Sequence, residues 1–232
     1  MKIDIYADGA NKDNIIQLYK NKQIAGFTTN PTLMKQARID NYKSFAQSIL
    51  KEINDKPISF EVFADEMNEM ERQAVEISSW GSNVNVKIPI MNTKKNSTVP
   101  LIRNLVEKQI YCNVTAIFTI EQIKSIIKVI QNDTEIILSI FAGRIADTGI
   151  NPIPIMEEAV EICKKFPKVK ILWASPREVL NIVQAEQAGC HIITVSNDLL
   201  NKMSLFGKDL NEFSLETVKM FFDDAKFSGF NI

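Results

Sequence analysis

The chain has 232 residues, 45% of them hydrophobic and 24% charged, with a formal net charge of -1. That balance suits a soluble globular protein large enough to bury a substantial core, and it offers no electrostatic footprint for nucleic acid. The acidic residues in the opening MKIDIYADGA argue against a signal peptide, and no apolar run reaches the length of a membrane span.

Short β-rich runs alternate with helical stretches along the chain. Strands are predicted over 3–7, 26–29, 58–64, 83–89, 110–115, 135–141, 169–175 and 191–196. Between them, segments such as 40–53, 119–130 and 151–166 carry apolar residues three and four apart, the period of a helix. Eight strands, each followed by helix-forming sequence, imply a single α/β domain over 1–232, a (β/α)8 TIM barrel. A doubly wound sheet is the competing architecture, but no glycine-rich phosphate loop follows the first strand. A further helix is predicted over about 214–230, where Phe221 and Phe222 would cap the barrel or dock on a neighbour.

The strands do not read as unbroken apolar runs, as parallel strands buried on both faces should. Side chains alternate across a strand. Asp4, Tyr6 and Asp8 therefore share one face of the first, Ser59 and Glu61 one face of the third, Asn85 and Lys87 one face of the fourth, and Asn113 and Thr115 one face of the fifth. Ser139 and Ser175 recur in the same way on the sixth and seventh. In a barrel this places Asp8, Glu61, Lys87, Asn113, Thr115, Ser139 and Ser175 around the C-terminal mouth, where barrel active sites form. A serine or threonine alone is readily satisfied by backbone. A lysine and two carboxylates on inward faces are not, because isolated buried charges are costly.

Lys87 is the sharpest clue. Val86 and Ile88 flank it and Pro89 ends its strand. Desolvation disfavours an ammonium and favours a neutral amine able to attack a carbonyl. A structural ion pair with Glu61 or Asp8 is the competing reading. Cys112, Cys163 and Cys190 lie far apart and read as free thiols of a reducing cytoplasm. His191, the only histidine, leaves no two-histidine metal site and argues against a Ser-His-Asp triad.

The ordered set Thr28-Thr29-Asn30-Pro31-Thr32, Glu61, Val86-Lys87-Ile88-Pro89, Asn113-Val114-Thr115, Gly143-Arg144-Ile145 and Ala174-Ser175-Pro176-Arg177 resembles the small transaldolases and their relatives, the fructose-6-phosphate aldolases. The resemblance covers nearly the whole chain and implies the same barrel fold. It implies that Lys87 forms a Schiff base, that Asp8 is the acid/base at the substrate C4 hydroxyl, and that Glu61 and Thr115 position the catalytic water. It implies that Asn30, Asn113 and Ser139 bind the dihydroxyacetone portion, that Arg144, Ser175 and Arg177 bind the phosphate, and that Thr29 also belongs to the substrate-binding set. The implied activity moves a dihydroxyacetone unit from fructose 6-phosphate or sedoheptulose 7-phosphate to an aldose phosphate, in the pentose phosphate pathway, without metal or organic cofactor. The implied partners are sugar phosphates and further copies of the chain, as a pentamer or decamer, rather than nucleic acid or membrane.

Glu61 and the Asn113/Thr115 pair favour transaldolase over the aldolase branch, which carries glutamine at the position of Glu61. Four places depart from the family pattern: Gly9 after Asp8, Ala146 after Arg144-Ile145, the Met91–Lys94 segment, and the surroundings of Phe206-Gly207-Lys208. They leave the chemistry intact and the substrate open. The alternatives are an aldolase-like or transaldolase-like enzyme acting on a specialised sugar phosphate, and a silent barrel that senses sugar phosphates.

Overall fold

The computed structural model describes residues 2–229. Its chain order is β1 (Asp4–Asp8), α1 (Lys12–Tyr19), β2 (Ile24–Thr28), α2 (Pro31–Gln36), α3 (Tyr42–Leu50), β3 (Ile58–Glu61), α4 (Met67–Ser78), β4 (Val84–Pro89) and α5 (Val99–Glu107). It continues through β5 (Cys112–Ile117), α6 (Ile120–Ile127), β6 (Ile136–Ile140), α7 (Ala142–Asp147), α8 (Ile153–Cys163), β7 (Val169–Trp173), α9 (Leu180–Gln187) and β8 (Ile192–Ser196). Every pairing is parallel, and β1 joins β8, so the sheet closes into a barrel in sequential strand order. The expected eight-stranded (β/α)8 barrel is therefore the observed fold.

The helices begin where the local chemistry dictates. Asn11, Asn30 and Asn41 each turn a side-chain oxygen onto a backbone N–H of the first turn of α1, α2 and α3, and Thr119 with Gln122 forms a capping box at α6. Helices α3, α4, α5, α6 and α8 each lay an apolar stripe on the sheet. Ile49 of α3, Met70 and Ala74 of α4, Ile102 and Leu105 of α5, Ile123 and Ile126 of α6, and Met156 and Ala159 of α8 are all fully buried. They meet the outward-facing Phe60, Val86, Val114 and Ile171 of the strands, which are equally buried. Each of the larger side chains among them contributes roughly 1.5–3 kcal/mol by leaving water and each alanine less, so this outer shell carries the fold. The barrel interior is free to hold polar groups.

Two irregularities shape the interior. Between β1 and β2 the register slips after Ile5, so that Tyr6 lies opposite Gly26. The Tyr6 ring crosses that glycine so closely that a Cβ at 26 would come within 2.6 Å of its Cζ. Between β5 and β6 the register slips after Val114, and Ala116 takes a left-handed backbone at φ 58°. That bulge falls beside Thr115, the usual neighbourhood of a bulge being an active site.

The three cysteines are buried and free. Burial pushes the Cys112 and Cys190 thiols up to about 12 and that of Cys163 to about 11, which makes them poor nucleophiles. Among the described residues no helix is long and apolar enough to cross a membrane.

Contacts divide the chain into two compact units, the barrel up to Asn197 and a second unit from Asp198 onward. The second contains most of α10 (Asn197–Lys202) and a long helix, α11 (Leu210–Ser228). Asp209 caps α11 by accepting from the N–H groups of Asn211 and Glu212, and Gly229, at φ 67°, closes it in the left-handed conformation. The predicted tail helix thus starts four residues early, and its last predicted residue, Phe230, lies outside the described residues. Phe221 and Phe222 are exposed.

Candidate active site

The C-terminal mouth is built by the register of adjacent strands. Glu61 of β3 lies opposite Lys87 of β4, and Lys87 opposite Asn113 of β5. On the other side Asp8 ends β1 opposite Thr28 of β2 and Ser196 of β8. Alternation then turns Asp8, Glu61, Lys87, Asn113 and Ser139 into the barrel together, as the sequence pattern implied.

Lys87 is 6% exposed. Its Nζ donates to the Thr29 carbonyl oxygen at 2.8 Å and sits 3.1 Å from Glu61 Oε2. The sequence left open whether Lys87 is a nucleophile or an ion-pair partner, and here it is paired with Glu61. Burial of an ammonium is offset by these two acceptors.

Asp8 is half-buried, and its carboxyl is raised above the usual carboxylate range. Burial is the main cause, opposed by the Lys87 charge and by the Thr28 hydrogen bond, with the Glu61 charge adding to the rise. Thr28 Oγ1 donates to Asp8 Oδ1 at 2.8 Å and also touches the Thr194 hydroxyl. A second buried chain crosses the barrel floor of the mouth: Ser139 Oγ donates to Asn113 Oδ1 at 2.6 Å, and Asn113 Nδ2 donates to Ser59 Oγ at 3.0 Å. Thr115 is buried on β5. Thr29 is fully buried and its hydroxyl donates to the Ser59 carbonyl. Asn30 caps α2 by accepting from the Leu33 N–H through Oδ1.

Three further groups, Tyr42, Thr194 and the Thr28 that opens the Thr28–Thr32 motif, hold the named ones in place. The Tyr42 hydroxyl accepts from the Glu61 N–H at 2.7 Å and donates to the Glu61 carbonyl at 3.1 Å, clamping the end of β3. Thr28 and Thr194 hold Asp8. Thr28 and Thr194 fall on alternating strand positions and were legible in principle. Tyr42, in the first turn of a helix, gives no signal before the fold is known.

The residues expected at a phosphate are arranged differently from the strand pattern. β7 ends at Trp173, not at 175. Ser175 lies beyond it in a left-handed backbone at φ 62°, so strand alternation does not set its direction. Gly143, at the start of α7, packs on this turn: a Cβ there would lie 1.6 Å from the Ser175 carbonyl oxygen, so only glycine fits. Arg177 forks onto Asp147, with Nε 2.8 Å from Oδ1, and its other arm reaches Ser175 Oγ at 3.0 Å. Asp147 is held below the usual carboxylate range, chiefly by the Arg177 hydrogen bonds. Arg144 is exposed on α7, with its guanidinium 5.4 Å from the Phe141 ring.

The closed parallel barrel turns a buried lysine and two carboxylates into its C-terminal mouth, the end at which barrel enzymes form their active sites. Comparison with known proteins agrees. The family model described as transaldolase/fructose-6-phosphate aldolase matches residues 5–232. A probable transaldolase of Dehalococcoides mccartyi is 32% identical over 200 residues, covering 86% of this chain and 89% of that protein. One of Desulforamulus reducens is 32% identical over 223 residues, covering 93% and 97%. One of Caldicellulosiruptor saccharolyticus is 33% identical over 202 residues, covering 86% and 88%. The chain belongs to the transaldolase/fructose-6-phosphate aldolase family, and its function is transaldolase-like.

Proposed function

We propose that this protein is a transaldolase that carries a dihydroxyacetone unit from a ketose phosphate to an aldose phosphate as an imine of Lys87. The observation that carries the reading is the Lys87 amine, buried beside Glu61 at 3.1 Å in the mouth that Asp8 also enters. Glu61 takes a proton from the lysine, a role its 3.1 Å approach to Lys87 Nζ supports. The neutral amine adds to the ketose C2 carbonyl, and loss of water gives the imine, which Glu61 and Thr115 assist by positioning that water. The imine then accepts the electron pair of the C3–C4 bond as it breaks, while Asp8 takes the C4 hydroxyl proton. The aldose phosphate leaves. The enamine on Lys87 attacks the acceptor aldehyde, Asp8 returns the proton, and hydrolysis frees the new ketose and the lysine. Asn30, Asn113 and Ser139 supply the polar atoms for the three-carbon unit.

The test is covalent trapping. Fructose 6-phosphate with borohydride should add one three-carbon unit per chain by intact mass, and the adduct should map to Lys87. An adduct on another lysine, or none with any ketose phosphate, sinks the reading.

The phosphate end favours attention to a second substrate reading. Ser175 and Arg177 suit an anion, since a guanidinium fork matches phosphate oxygens, but Asp147 already neutralises Arg177. That pairing favours a specialised sugar phosphate, and product analysis without an acceptor aldehyde separates transfer from simple cleavage. Arg177→Ala should raise KM for a phosphorylated donor about tenfold to a hundredfold and leave unphosphorylated fructose almost untouched. Asp147→Asn should lower the same KM, because it frees the guanidinium. Equal losses on both kinds of substrate would assign Arg177 to the fold and not to phosphate.

A further inference from the structure

Thr28 reaches Asp8 through one carboxylate oxygen: its Oγ1 donates to Asp8 Oδ1 at 2.8 Å, and the same Oγ1 meets the Thr194 hydroxyl. A threonine hydroxyl carries one proton. Thr28 directs its proton to the carboxylate, so towards Thr194 it is the acceptor and Thr194 is the donor. While Asp8 is ionised, the three side chains form a chain of hydrogen bonds in one direction, from Thr194 to Thr28 to Asp8.

The fold supplies this order. Thr28 ends β2 opposite Asp8. Thr194 lies on β8 two residues before Ser196, the residue opposite Asp8, so alternation turns it inward one level below the carboxylate. Ile192 shares that face of β8 and packs with Tyr6, Ile137, Leu172 and Ala174. The two threonines, both buried, therefore lie above an apolar layer, where hydrogen bonds are strengthened and each donor polarises the next. The charges facing Asp8 are Lys87 of β4, which favours the carboxylate, and Glu61 of β3, which opposes it; burial opposes it most. Lys87 and Glu61 are themselves paired at 3.1 Å, so part of the Lys87 field is cancelled. The hydroxyl chain is the uncharged support of the ionised form.

We propose that Thr194 is a positioning residue for the proton transfer at C4: it fixes the Thr28 proton on Asp8 Oδ1, sustains the ionised carboxylate, and leaves Oδ2 as the oxygen that takes the C4 proton. This rests on the reading of Asp8 as the base at C4. The C4 hydroxyl proton goes to Oδ2 while the C3–C4 electron pair goes to the imine, and the protons of Thr28 and Thr194 stay on their own oxygens.

The test is the acid limb of turnover with fructose 6-phosphate and an aldose phosphate acceptor, each variant being read against its own high-pH plateau. Removing a donor to an ionised group disfavours that form, so the limb should move to higher pH. At the pH where the unaltered chain runs at half its plateau rate, Thr28→Val should fall about fivefold and Thr194→Val about twofold. The double variant should fall no further than Thr28→Val alone, because Thr194 acts through Thr28. Thr194→Ser keeps the donor and should restore the limb. Thr194→Cys, a weaker donor, should fall between the unaltered chain and valine, and it decides the question if valine prevents folding. Borohydride trapping on Lys87 should persist throughout. A purely structural threonine would lower the plateau and leave the limb in place. The proposal is overturned by an unmoved limb in Thr194→Val, by effects that add in the double variant, or by serine behaving as valine does. If instead the unaltered chain gives no Lys87 adduct, or Asp8→Asn keeps full turnover, the reading of the site fails and the relay fails with it.

Discussion

Replacing Lys87 by methionine is expected to abolish turnover, with a loss on the order of ten-thousandfold or more, the scale seen when a covalent nucleophile is removed. Methionine is unbranched like lysine, only one atom shorter, and occupies the same inward position on β4, so the change removes the amine and little else. The fold has reason to survive. The outer shell of helix and strand side chains, not the Lys87–Glu61 pair, supplies most of the buried apolar area. Glu61 keeps the Tyr42 clamp on its backbone, and its half-buried carboxylate still reaches solvent. A thermal unfolding midpoint close to that of the unaltered chain, together with absent turnover and no borohydride adduct, is the expected result. Undiminished turnover in this variant would remove Lys87 from the chemistry altogether, and Glu61 would then be left as one half of a structural pair.

The barrel was legible because its signal is repeated eight times. Each strand predicted from β-rich runs falls on an observed strand, and the errors are at the ends. The 26–29 run begins two residues early in the structure, at Ile24, and the 169–175 run stops at Trp173. The second error has a cause that periodicity cannot contain: Ser175 adopts a left-handed backbone because the turn must lay its carbonyl against Gly143, a contact between chain segments far apart in sequence. Short helices such as α2 and α7 give too few turns to display a 3.6-residue period. The start of α11 was readable in Asp209 and Glu212, a cap and an acidic first turn, but the apolar pattern alone pointed to Ser214.

The site was legible to the extent that strand parity governs it. Asp8, Glu61, Lys87, Asn113 and Ser139 were found by alternation, since an inward polar residue breaks an apolar strand visibly. Parity is silent about partners. It did not show that Arg177 is matched by Asp147, because both residues lie on the loops and short helices after β6 and β7, where no repeat fixes direction. It did not find Tyr42, which acts through the backbone of Glu61. Nor did it show that Tyr6, on the same β1 face as Asp8, packs with Ile137, Leu172, Ala174 and Ile192 in the barrel, because packing partners are not written in alternation.

Asp8 offers the second large effect, and one that separates bond cleavage from imine formation. Asp8→Asn should slow turnover by roughly a hundredfold or more, the usual scale for a lost general base. Borohydride trapping with a ketose phosphate should persist, because Lys87 and Glu61 are untouched. Asparagine has the same shape and can still accept from Thr28 Oγ1, so the mouth need not rearrange. The pH dependence follows from the raised carboxyl. The base must be ionised, so turnover in the unaltered enzyme should fall as pH drops through a value above the ordinary carboxylate range, and this acid limb should vanish in the variant. Stability should move the other way. Because burial raises Asp8 in the folded state, protonated Asp8 is the better-tolerated form there. That stabilising contribution is complete below the unfolded-state value and is lost as pH rises through the folded-state value. Above the folded-state value the unaltered chain holds an ionised carboxylate against its burial, and there Asp8→Asn should unfold at a higher temperature than the unaltered chain. The difference should shrink as pH is lowered towards the unfolded carboxyl value. Wild-type turnover in Asp8→Asn, or an adduct lost along with turnover, would move the proton transfer at C4 to another group in the mouth.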